Sequence, residues 1–186
     1  SDNLILRLVK ADYTVLSLKL FPGGRQIPDK VKFFTTYNRT DDANRVQDIL
    51  TAAALLKHTM IAYLENQGKK TSLSVVAHGH AGLLALLARG LAPAIDRMVI
   101  DAADFDSSND EAFIKSVAVP GIRRAGDFTT AVTIAPLTPL LIHNAGNKFN
   151  AEKIDAVYKA FGKVEDFKSQ SAKLSDTELV TWLSSK

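Results

Sequence analysis

"SVVAHGHAGLLALLAR", Ser74–Arg89, is the stretch that decides the fold. Leu73–Ala77 is a short apolar run rich in valine, the composition of a buried strand. Ala81–Leu91 is apolar almost all round, as expected of a helix inside a core. Small residues flank the turn between them: Ala77 before it, Ala81 and Gly82 after. Strand, tight turn and helix follow within a few residues. A nucleophile elbow has this form, with the pattern G-x-S-x-G and its serine on the turn. Here the central residue of Ala77-His78-Gly79-His80-Ala81 is glycine. By spacing alone the pattern is weak, because many strand-to-helix turns use small residues.

Working outward, Pro93 closes the helix and Arg97–Ala103 ("RMVIDAA") reads as the next strand. Ser108 and Glu111 have the spacing of a capping box for a following helix. Val119–Asp127 reads as loop, with a short helix to Ile134. Pro139–His143 ("PLLIH") reads as a strand. Asn150 can cap a helix over Ala151–Phe161, which Gly162 ends. Val164–Phe167 predicts a short last strand, and Ser175 with Glu178 a capping box for Asp176–Ser184.

On the N-terminal side, Leu4–Lys10 reads as the end of a helix. Tyr13–Leu20 ("YTVLSLKL") predicts a strand stopped by "FPGG". Gln26–Asn38 reads as a long loop, and Asp42–Glu65 as a helix with one apolar face through Val46, Ile49, Leu50, Ala53, Met60 and Leu64. Arg45 and Asp48 can pair on it at i, i+3. Strands alternating with helices imply an α/β fold: a mostly parallel sheet flanked by helices. No linker or repeat divides the chain, so residues 1–186 are read as one domain.

The 186 residues carry a net charge of +3 and no Lys/Arg-rich run, which argues against nucleic acid as a partner. No cysteine is present, which excludes disulfides, thiolate metal sites and a cysteine nucleophile. No apolar run approaches the ~20 residues of a membrane span. No signal peptide is read, and Ser1 in place of methionine suggests a processed or cut start. The expected protein is soluble and its compartment stays open, export included.

Taken in order, "YTVLSLKLFPGG", "YNRTDDANRVQDILTAAALL", "VVAHGHAGLLALLAR", "VPGIRRAGDFTTAVTIAPLTPLLIH" and "DTELVTWL" resemble the later two-thirds of the α/β-hydrolase fold. Within it they look like the acetyl-xylan-esterase and dienelactone-hydrolase-like group. The resemblance implies the C-terminal portion of that fold, without its first strands. It places the nucleophile at Gly79. It places the acid after "PLLIH", where Asn147 and Lys148 stand, and the histidine in "DFKSQSAKLSD", which has none. The strand before the main oxyanion loop is absent. One missing strand would lie between those matched by Tyr13–Leu20 and Leu73–Ala77. Those two must then pair directly, or a gap remains.

The implied function is a non-catalytic, pseudo-enzyme domain with a degenerate triad and a structural or binding role. Its partner would be a carbohydrate, or another domain or chain that completes the sheet. The alternative is a carboxylic- or carbohydrate-ester hydrolase using atypical residues, or residues on a missing N-terminal part. His80 and Asp104 are the candidates for an atypical base and orienter. His78, His80 and His143 are candidate binding residues. As a metal site His78-x-His80 is incomplete, because side chains on an elbow diverge and His143 lies two strands away. No metal or cofactor is expected. Trp182 with Leu179 and Leu183 reads as core, and Asn38-Arg39-Thr40 as a sequon of low specificity.

Overall fold

The computed structural model describes residues 4–24, 34 and 38–185. Four strands form one sheet: β1 (Ser74–His78), β2 (Arg97–Asp101), β3 (Leu140–His143) and β4 (Phe167–Ser169). They lie in the order β1-β2-β3-β4 and every pairing is parallel. The α/β architecture expected from the alternating pattern is present.

The helices are α1 (Leu4–Lys10), α2 (Asp41–Leu56), α3 (Ala62–Asn66), α4 (His80–Arg89), α5 (Asp110–Ser116), α6 (Asp127–Ile134), α7 (Ala151–Ala160) and α8 (Asp176–Ser184). A single π turn, Lys57–Ile61, joins α2 to α3, so the expected Asp42–Glu65 helix is continuous but locally widened. None of the described helices is long and apolar enough to cross a membrane.

The central strands β2 and β3 are buried on both faces, which is why they read as unbroken apolar runs. Met98, Ile100, Leu140 and Ile142 face the larger core with Ile49, Leu84, Phe113, Phe128 and Ile154. Val76, Val99 and Leu141 face the smaller one with Leu8 of α1 and Leu179 and Leu183 of α8. Gly82 allows α4 to sit this close to the sheet. A Cβ there would lie 2.8 Å from the Asp101 carbonyl oxygen and 3.2 Å from that of Ala77.

Several local expectations are corrected. Tyr13–Leu20 forms neither helix nor strand and is not part of the sheet. Its side chains carry the strand pattern while no strand pairs with it among the described residues. Asn109, not Ser108, caps α5, accepting from the Ala112 N–H at 2.9 Å. Ser108 instead donates to Asp106, 2.7 Å away. Arg45 pairs with Asp42 at 2.6 Å rather than with Asp48, which accepts the Phe21 N–H. Val164–Asp166 is a 3-10 turn and the last strand follows it. Asn150 stands at the start of α7 without a side-chain cap. Trp182 is half-buried, with the Arg97 guanidinium 5.3 Å from its ring. The Ser175–Glu178 capping box is formed as expected. Apart from Phe34 and Asn38, the loop expected over Gln26–Asn38 lies outside the described residues.

Candidate functional site

The C-terminal ends of β1, β2 and β3 converge on a small polar cluster, where parallel α/β sheets place their ligands. Register brings its members together. His78 pairs with Asp101 across β1 and β2, and Asp101 with His143 across β2 and β3. The three side chains therefore stand in one row on the face of the smaller core. Candidate ligand atoms of all three lie within 4.8 Å of one another.

The turn after β1 has the geometry that its sequence suggested. Gly79 adopts φ 56° and ψ −130°, and α4 starts at the next residue. Its N–H donates to the Asp101 carbonyl at 2.9 Å. A Cβ at this position would find only Ala103 within 4 Å, so the cost of a side chain here is backbone strain, not space. Positive φ recurs after the next two strands, at Ala103 and Asp104 behind β2 and at Asn144 behind β3. Strain of this kind tends to collect where a site is held in shape.

Asp101 anchors the row. It is buried, and its Oδ1 accepts from Ala103 N at 2.8 Å and Asn144 Nδ2 at 2.7 Å. Its Oδ2 faces Lys173 Nζ at 3.4 Å and His78 Nδ1 at 3.8 Å. Burial alone would raise this carboxyl. The donated hydrogen bonds from Asn144 and Ala103, and the charges of His143 and Lys173, outweigh it and hold Asp101 below the usual carboxylate range.

His143 is fully buried, and burial pushes its imidazole below the ordinary histidine range against the pull of Asp101. Its Nδ1 accepts the Leu174 N–H at 3.1 Å. The ring proton of the neutral form must then sit on Nε2, which has no partner among the described residues. This tautomer fits poorly with a metal held through Nε2. A metal-bound histidine normally donates its other ring N–H. Ligation through His143 Nε2 would leave neither nitrogen with a proton, and the Lys173 ammonium would face the cation.

The two histidines beside Gly79 diverge, as expected of an elbow. His78 turns to Asp101, and His80 places Nε2 3.1 Å from Asp42 Oδ1. Of the binding candidates, His78 and His143 come together and His80 stands apart. The expected His80–Asp104 pair is not formed. Asp104 is instead exposed and lies over Gly146, where a Cβ would overlap its carboxylate.

No family model, curated protein or solved structure matches this chain.

Asp42 is the residue that sequence reading missed. It is buried, accepts from Arg45 and from the Ala118 N–H at 2.8 Å, and faces His80 Nε2 at 3.1 Å. One carboxylate thus ties α2, α4 and the Ala118 loop together. The Asp42–Arg45 spacing on the helix was its only local signal. Lys173 and Leu174 enter from the loop before α8, and nothing local marks them.

Proposed function

We propose that this chain is a non-catalytic domain of α/β-hydrolase type, with a structural or binding role toward a carbohydrate or a partner domain. Gly79 carries the reading. The turn keeps the strained strand-to-helix backbone on which an elbow displays its serine, yet it displays no side chain. The surroundings support it. Ala77, Ala81 and Ala103 line the turn without a hydroxyl, and the adjacent histidines are engaged by Asp101 and Asp42. A site that has kept its frame and lost its nucleophile can bind without turning over.

Hydrolysis of nitrophenyl acetate by purified protein tests this. The expected rate equals that of buffer. Turnover that His80→Ala abolishes would replace the proposal with the ester-hydrolase reading. One observation favours that second reading. His80 and Asp42 form a base-and-orienter pair next to Gly79, able in principle to activate a water.

A further inference from the structure

Two stretches of backbone without hydrogen-bond partners among the described residues border one slot. The first belongs to β1. Leu73 O accepts from Asp96 N, and Gly79 N donates to Asp101 O, so the odd-numbered residues here turn their backbone groups toward β2. Alternate residues of a strand address opposite edges. The N–H and C=O groups of Ser74, Val76 and His78 therefore point away from β2, and no strand pairs with that edge among the described residues. The second row is Thr14–Leu20, which belongs to no helix or strand and makes no backbone hydrogen bond among the described residues.

The slot between them has a volume of about 510 Å³. Leu4 and Leu8 of α1 line it, as do Ile49 and Ala53 of α2, and these helices pack on opposite faces of the sheet. Covers for both faces of one more strand are already in place. Its lining holds no titratable side chain except His78. An acyl chain would match the walls but leave both backbone rows unpaired, at a cost for each group that stays dry. Only another strand satisfies rows and walls together.

We propose that this slot receives one extended, uncharged, apolar strand from a partner polypeptide, about five residues long to match β1. The strand lies between Thr14–Leu20 and β1 and turns β1 into an interior strand. This rests on the binding role proposed above and names the kind of partner. Main-chain hydrogen bonds supply most of the recognition, so the slot tolerates many apolar sequences but no proline in the middle of the strand.

The test uses the full chain and a fluorescent valine- and threonine-rich nonapeptide with a solubilising lysine at each end. A second peptide carries proline at the centre. Fluorescence anisotropy is expected to show saturable binding of the first and at least tenfold weaker binding of the second. Hydrogen exchange at Val76, His78 and Val15–Leu20 is expected to slow at least tenfold on binding. Leu18→Asp, at an exposed position lining the slot, should leave the fold intact and weaken binding at least tenfold. Equal binding of the two peptides, or no slowing at Val76 and His78, would overturn strand insertion. Slow exchange at those amides in the peptide-free protein, with a native mass of twice 20.2 kDa, would assign the slot to a second copy and also overturn it. Ester turnover would remove the non-catalytic reading without touching the peptide result, so the two proposals fail separately.

Discussion

Gly79 holds a backbone conformation that costs a residue with a Cβ about 1–3 kcal/mol. Gly79→Ser is therefore expected to lower stability by about that amount in urea unfolding. Gly82 is constrained by space instead. Gly82→Ala would press on two strand carbonyls and should cost about 1–3 kcal/mol, unlike an alanine placed freely in a helix. The polar row sets a pH dependence of defined sign. His143 is depressed in the fold, so the unfolded chain binds its proton first. Its contribution is present above an unfolded value of about 6.5 and is lost as pH falls toward the lower folded one. Asp101 is also depressed, so its contribution holds above about pH 4 and disappears as pH falls through its folded value. Denaturant unfolding across pH should show two successive losses on acidification. His143→Leu should remove the upper one and Asp101→Asn the lower.

At the scale of elements, Arg89 at the end of α4 is the least expected side chain. It is a buried arginine with no carboxylate partner among the described residues, and its hydrogen bonds run from one terminal nitrogen to Pro136 O, Thr138 and Tyr158 Oη. Its Nε and Nη1 have no partner among the described residues. Burial lowers the Arg89 pKa, and burial raises Tyr158 to about 12, so the tyrosine stays neutral. Thr138 O also accepts from Tyr158, and so keeps a donor without the arginine. Arg89→Met, similar in length and apolar, should be neutral or stabilising, whereas Arg89→Ala should cost about 2–5 kcal/mol by opening a cavity. Thermal unfolding should leave the midpoint of Arg89→Met unchanged or raised and lower that of Arg89→Ala. Between α5 and α6 the link is cationic. Arg123 bridges Asp110 and Asp127 and lies 4.5 Å from the Phe113 ring, fixing a loop that the sequence presented as plain turn.

On the scale of the whole molecule, three of the exposed large apolar side chains meet at the slot. Ile5, Leu16 and Leu18 line it and are each at least 43% exposed. Exposed apolar groups beside an unpaired strand edge mark a surface prone to association. Leu16→Thr with Leu18→Thr should change unfolding free energy by no more than about 0.5 kcal/mol each while raising solubility. A clear loss of stability would mean that these leucines are buried in solution.

The sequence alone determined the order and type of nearly every element, because each carries its own periodicity, cap or breaker. The parallel sheet followed from that order, and the tight turn at Gly79 from the small residues around it. Pairing and convergence belonged to the tertiary structure. Tyr13–Leu20 has the side chains of a strand, but a strand also needs a neighbour, and no local pattern reports whether one is there. Asp101 and His143 are 42 positions apart in the chain yet adjacent in register, and Lys173 reaches them from a loop without a signature. His80 met Asp42 rather than Asp104 because α2 lies against α4, a packing choice made by apolar faces rather than by the charged residues themselves.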